Sequence, residues 1–445
     1  MSRALTRSDA RPWWRRASSI LLWLPIVLTV LLVAGWFSTL PASPDGFYDP
    51  PADVPGRPGR IVRMEPMTRG VPEGARGWRF LYTTTRQDGA PAVASAVMLV
   101  PDGGSAPRPL IAWAHGTTGI ARGCAPSLMA DPFAGTPAVA DLIKNGWAMV
   151  ATDYVGMGTP GNHAYLVGED AARAVLDSIR AAAGHREWQL SGAAVVWGHS
   201  QGGHSALWAG IAAPRYAPDV MLRGVAAMAP ASDLQALTRE SGASGFGKLI
   251  SAFVYQAYRQ VYPDVAAMPV SRLARIASAD MARRCIVDRK ALWTVGELWL
   301  LRNRPLLPAG LGSHALDQRL RQNSPFGPIQ APLLIAQGEA DESVSSNVQR
   351  RFVKSRCAAG QPLRYLEYPS VDHMGLIKAD SPFNADLLAW TSARFAAASL
   401  SGDGKQRPAR PRPPIPPSTL TDCGETATAQ MARKPSVQRD ALYRG

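Results

Sequence analysis

The sequence predicts an α/β fold: a mainly parallel sheet covered on both faces by helices, with a block of helices inserted late in the chain. Three observations predict it. From about residue 78, short β-favouring apolar runs alternate with helical patterns, which implies a parallel sheet. One of these runs, 193–197, leads straight into Gly198-His199-Ser200-Gln201-Gly202 and leaves on small, helix-compatible residues, a strand–turn–helix with a serine at its apex. From about 232 to 327 the alternation breaks down into helix-like pieces, and it resumes afterwards.

Taken in order, 41–75 is rich in Pro and Gly and is expected to be an extended arm. Two strands, 78–85 and 92–100, are linked through Gln87-Asp88-Gly89, a turn-prone tripeptide. A third strand, 110–114, ends in His115-Gly116-Thr117-Thr118-Gly119. A helix at 138–144 is stopped by Asn145-Gly146, a C-cap signal, and the strand 147–152 follows. Residues 168–183 form an amphipathic helix, with Ala172, Val175, Leu176, Ile179 and Ala183 on one face opposite Arg173, Asp177 and Arg180. After the serine turn come a strand at 224–228 and the inserted helices, which carry Phe253, Tyr255, Tyr258 and Trp299. The strand 332–336, helix 344–358, strand 363–368 and helix 383–397 close the domain.

The chain has 445 residues, 46% of them hydrophobic, enough for a substantial core. The net charge of +14 is concentrated at the ends, and no basic, aromatic-interleaved motif lies inside the core, so a nucleic-acid partner is not expected. Arg15 and Arg16 precede an uncharged segment, 17–44, whose apolar heart is 20–37, close to the roughly 20 residues that span a bilayer. It reads as an export signal, with a cut near Ala42, or as an uncleaved membrane anchor, and both place the remainder outside the cytoplasm. The four cysteines, Cys124, Cys285, Cys357 and Cys423, suit two disulfides in an exported chain, with three pairings open; their spacing matches no zinc site, and neither metal nor cofactor is expected.

A serine hydroxyl needs a base within hydrogen-bond reach to act as a nucleophile. Helper groups belong on loops at the carboxyl ends of later strands, acid before histidine, in the order of the α/β-hydrolase fold. Among seven histidines, His115 lies in the loop after the third strand, His199 and His204 are in or beside the turn, His163 and His185 precede the serine, and His314 falls among the inserted helices. His373 alone follows the last strand and is the expected base. The loop after strand 332–336 supplies the acid, assigned to Asp341, with Glu339 and Glu342 as neighbours; Asp372 is too close in the chain to fold back onto His373. An oxyanion hole is expected from the N–H of Gln201 together with Gly116 and Thr117.

HGTTG followed by Cys124-Ala125-Pro126-Ser127, DYVGMGTPG from Asp153, GHSQGG around Ser200, GEADESV around Asp341 and the His373 loop together resemble, in order, the motifs of the secretory lipases typified by yeast lipase A, with bacterial relatives. The resemblance takes in about residues 45–425. It implies a triad of Ser200, Asp341 and His373, inserted helices that cap an acyl tunnel, and the disulfides Cys124–Cys285 and Cys357–Cys423. The chain departs from the family in its long amino-terminal apolar segment and in a basic tail beyond Cys423 to which no role is assigned. The expected division is a signal or anchor over 1–44, an α/β-hydrolase domain over 45–400 with the cap at about 232–327, and a Pro/Arg-rich tail over 401–445. The expected activity is hydrolysis of lipid carboxylic esters through an acyl-enzyme on Ser200. The alternatives are acyl transfer on the same triad and an inactive hydrolase fold used as an interaction module, which the presence of all three residues disfavours.

Overall fold

The computed structural model describes residues 13–103, 107–286, 291–303, 314–399, 417 and 419–423. The first twelve residues and most of the tail expected over 401–445 lie outside the described residues. The elements run α1 (Trp13–Ser38), β1 (Ile61–Met67), β2 (Ala75–Thr85), β3 (Pro91–Pro101), β4 (Arg108–Ala114), α2 (Val139–Lys144), β5 (Ala148–Val155), α3 (Gly168–Ala183), β6 (Leu190–His199), α4 (Gln201–Tyr216) and β7 (Met221–Met228). Six described helices follow: α5 (Leu234–Ser241), α6 (Gly245–Val261), α7 (Pro263–Ala266), α8 (Arg272–Met281), α9 (Ala291–Leu300) and α10 (His314–Asn323). The chain then completes β8 (Leu333–Gly338), α11 (Ser346–Ala358), β9 (Leu363–Tyr368), α12 (Phe383–Ser399) and β10 (Thr419–Cys423).

Among the described residues the ten strands form one sheet in the order β1-β2-β3-β5-β4-β6-β7-β8-β9-β10. The pairs from β5 to β9 are parallel, and antiparallel strands close both rims. This is the α/β-hydrolase architecture. The alternation of side chains across the sheet divides the core in two. Ala112, Val150 and Val196 face Val175 and Leu176 of α3 and Leu207 of α4. Ile111, Val195 and Trp197 face Leu142 of α2 and Leu387 and Trp390 of α12. Trp197 is fully buried and its indole N–H donates to Thr391 Oγ1 at 3.1 Å, so its polar atom is satisfied inside the core.

The arm expected over 41–75 contains a strand, β1, which the Pro/Gly content hid. Its Pro66 lacks an N–H, which is tolerable because β1 lies at the rim and pairs only with β2. Arg63 of β1 donates to the carbonyls of Gly46, Phe47 and Asp49, each at 2.8 Å, and holds the preceding segment over that rim.

The apolar amino-terminal segment is helical as α1, with Pro25 inside it. Among the described residues no helix is long and apolar enough to cross a membrane, so a transmembrane anchor is not supported. The end of α1 is instead tied to the inserted helices. Trp36 Nε1–H donates to Asp280 at 2.8 Å, and Arg284, 1% exposed, donates to Thr39 Oγ1 at 2.9 Å.

Disulfides join Cys124 to Cys285 and Cys357 to Cys423. The second ties β10 to α11 across 66 residues of chain. In the chain-entropy description a loop of that length stabilises by about 4 kcal/mol, and commonly less. We predict that the double variant Cys357→Ser/Cys423→Ser loses about 2–4 kcal/mol in urea unfolding, with β10 becoming the earliest site of limited proteolysis. An unchanged urea midpoint would show that the strand pairing alone holds β10.

Candidate active site

The turn between β6 and α4 is shaped by contacts that exclude side chains. A Cβ on Gly198 would stand 2.0 Å from the Gly202 carbonyl oxygen, and one on Gly202 would stand 1.8 Å from that of Ala114. The chain therefore reverses within a few residues and forces Ser200 to φ 56°, ψ −116°, a region costly for a residue with a Cβ. The Ser200 N–H donates to Met228 O at 2.9 Å, fixing the turn to the end of β7. Gln201 opens α4, so its backbone N–H belongs to the first turn, where no intrahelical acceptor exists and the helix dipole favours negative charge.

Asp341 sits after β8 with its side chain fully buried. Its Oδ1 accepts the N–H groups of Ser343 and Val344, both at 2.8 Å. Its Oδ2 accepts from Gln337 Nε2 at 3.0 Å and from His373 Nδ1 at 2.7 Å. Donors on both oxygens fix the carboxylate, which in turn fixes the tautomer: Nδ1 carries the proton and Nε2 is left with a lone pair. The two loops are joined through backbone as well, with Glu339 N–H donating to Tyr368 O and Ala340 N–H to Val371 O. Of the neighbouring acids, Glu339 lies 4.0 Å from Arg350, Glu342 is exposed, and Asp372 accepts the Gly375 N–H at 2.6 Å in a local turn. Among the described residues the Ser200 hydroxyl makes no hydrogen bond to His373.

On the opposite side, a Cβ on Gly116 would come within 3.7 Å of Ser200 Cβ, so that loop backbone passes close to the serine. Thr117 lines the same cavity as Ser200 and Gln201, and its hydroxyl is 2.7 Å from that of buried Tyr165. The structure thus brings Ser200, Gln201, Gly116 and Thr117 together at the ends of β4 and β6, and pairs Asp341 with His373.

An apolar cavity opens over Ser200. Its walls are Leu234 and Leu237 of α5, Phe246, Ile250 and Val254 of α6, Leu316 and Leu320 of α10, and Val344. Phe253, Tyr255 and Tyr258 are buried in the core that the inserted helices form among themselves, and Trp299 is exposed. Among the described residues no group of three or more His, Cys, Asp or Glu is placed to hold a metal.

Sequence reasoning missed a shell of buried polar groups behind the site. His163 Nε2 accepts from Gln201 Nε2 at 2.9 Å, and burial pushes its pKa down to about 3. His204 donates to Asn323 O at 2.8 Å, and burial lowers it to about 4. Asp153 accepts from Ser95 Oγ at 2.6 Å and from the Ser127 N–H at 3.0 Å, pinning the Cys124 loop to the end of β5. The signal available was the DYVGMGTPG motif, whose Asp153 lies near the end of a strand that is buried throughout.

Comparison with known proteins gives three results. Residues 134–403 match the family model described as secretory lipase. The chain is 23% identical over 416 residues to Lipase 6 of Candida albicans, covering 85% of this chain and 86% of that protein, and 22% identical over 359 residues to Lipase A of Moesziomyces aphidis, covering 74% and 76%. Its fold is similar to that of Candida antarctica lipase A in its closed state (TM-score 0.65, 17% identity, 83% of this chain and 89% of that one). It is also similar to the rice cell wall degrading esterase LipA from Xanthomonas oryzae (TM-score 0.60, 21% identity, 77% and 98%).

Burial raises the Asp153 carboxyl from 3.8 to about 6, against the hydrogen bonds from Ser127 and Ser95 that lower it. Between those values the folded chain holds a proton that the unfolded chain has released. The group's contribution to stability is therefore complete below pH 3.8 and is lost as the pH rises through about 6. At 1.36 kcal/mol per pH unit this amounts to about 3 kcal/mol. Asp153→Asn should remove the titration, so its urea-unfolding stability relative to wild type should climb by about 3 kcal/mol from pH 4 to pH 7. A difference that stays flat with pH would show that Asp153 titrates normally.

Proposed function

The chain belongs to the secretory lipase family and is a serine ester hydrolase, and from that premise we propose that Ser200, His373 and Asp341 are its nucleophile, base and orienting acid and that it cleaves lipid esters with an extended acyl chain. The observation that carries this reading is the 2.7 Å bond between His373 Nδ1 and fully buried Asp341, in loops that converge on a strained serine. Nothing in the family or the fold favours acyl transfer or an inactive interaction module.

With Nδ1–H given to Asp341, His373 Nε2 takes the proton from Ser200 Oγ as the oxygen attacks the ester carbon. The carbonyl oxygen becomes an oxyanion received by the Gln201 N–H and by Gly116 and Thr117, each donor contributing about 3–4 kcal/mol in such sites. Collapse breaks the bond to the alcohol, which leaves with the proton from Nε2. Water, deprotonated by the same nitrogen, then releases the acid and restores Ser200. Asp341 keeps its charge throughout and stabilises the imidazolium.

Lipid specificity is supported by the walls of the cavity. Walls of Leu, Ile, Val and Phe suit an alkyl chain, each buried methylene contributing about 0.8 kcal/mol. The helices between β7 and β8 act as a cap in this reading, and the hydrolase domain comprises 45–400. The family and the two disulfides support a protein that folds outside the reducing cytoplasm, the apolar segment serving export.

Ser200→Ala, His373→Ala and Asp341→Asn are each expected to lower kcat by roughly three to six orders of magnitude while thermal unfolding stays near wild type. Near wild-type turnover in His373→Ala would remove it from the triad. On monomeric p-nitrophenyl esters, kcat/KM should climb from acetyl to at least octanoyl. A maximum at acetyl followed by a steady fall would leave the triad standing and make the enzyme a short-chain esterase.

A further inference from the structure

We propose that His199 is a positioning residue that locks the peptide of the base to the turn carrying the nucleophile; this rests on His373 being the base. His199 immediately precedes Ser200 and is buried. Its Nε2 lies 2.9 Å from the carbonyl oxygen of His373, and the two imidazoles face each other with centroids 4.5 Å apart at 45°. A carbonyl can only accept, so Nε2 carries the proton. Burial, with His373 nearby, holds His199 well below the ordinary histidine range, so the ring is neutral.

The opposite edge of the ring is closed by the loop after β4: a Cβ on Gly116 would lie 3.2 Å from His199 Nδ1. His199 is therefore wedged between the loop that receives the oxyanion and the loop that carries the base. Asp341 holds the His373 ring from one side, and His199 holds its backbone from the other. Without the second hold the base can swing about its bond to Asp341, moving Nε2 relative to Ser200. A misplacement of about 1 Å is enough to cost on the order of a hundredfold in rate. Neutrality matters because His373 becomes cationic in each half-reaction, and a second cation 4.5 Å away would oppose that step.

The substitutions separate positioning from packing. Glutamine can bring an amide N–H to the place of Nε2, asparagine is one carbon too short, and phenylalanine keeps the ring without a donor. Steady-state kinetics on p-nitrophenyl butyrate should show His199→Gln within about threefold of wild type. His199→Asn and His199→Phe should lose about 10–100-fold in kcat at nearly constant KM. In a His373→Ala background the same substitutions should cause no further loss, because the group being positioned is gone. Equal losses for Gln and Asn, or an undiminished loss in the His373→Ala background, would overturn the proposal and leave His199 as packing. Near wild-type turnover of His373→Ala alone would overturn the base assignment, and this inference with it. If His199→Phe fails to fold, the comparison of Gln with Asn decides.

Discussion

The backbone reversal at Ser200 is the constraint on which the rest of the site depends. A positive φ at a residue with a side chain costs about 1–3 kcal/mol, and it persists only where the surroundings leave no alternative. Here β6 runs between β4 and β7, and α4 begins so close to β4 that Gly202 can carry no Cβ. Relaxing the turn would therefore separate α4 from the sheet and break the layer that Ala206 and Leu207 pack into. The serine is held out by the whole core. Every group that assists it must accordingly come from a loop at the same edge, as the proposed acid and base do after β8 and β9.

Around this turn the protein places histidines that stay uncharged. His115, His163, His199 and His204 are all buried, and burial lowers each of their pKa values. Each ring nevertheless has a backbone carbonyl close to one nitrogen. An imidazole can donate at one nitrogen and accept at the other without carrying charge, so it cross-links loops in a low-dielectric interior where a lysine or a carboxylate would need a counter-ion. In the mechanism proposed above, the one transient cation, on His373, would form in surroundings that hold no competing positive charge of this kind.

Much of this was legible in the sequence, and the residues show why. The strands from β4 to β9 are short apolar runs with turn residues between them, and α3 was readable to its ends because its apolar face repeats at helical spacing. Serine, acid and histidine were proposed from their order along the chain, and the structure joins Asp341 to His373. What stayed hidden depends on tertiary neighbours. β1 contains proline and lies behind a Pro/Gly-rich stretch, so no local pattern marks it as a strand. His199 and His163 look like incidental histidines until the turn brings one against the His373 backbone and the other against Gln201. That the inserted helices line the cavity with Leu and Phe was legible, but which residues do so was not: Phe246 is in the wall, whereas Phe253 and Tyr255 are buried among the helices.

The two rims of the sheet carry a consequence for how the protein keeps to itself. A strand edge with free N–H and C=O groups is a template for any other extended chain, including a second copy. On one side, β1 breaks that template with Pro66 and with the arm clamped over it by Arg63. On the other, β10 is five residues long and lies against β9 with Cys423 bonded to α11. If β10 left, the full length of β9 would become a sticky edge beside an apolar interior. The Cys357–Cys423 bond therefore stands where the sheet would otherwise be open to pairing with another extended chain.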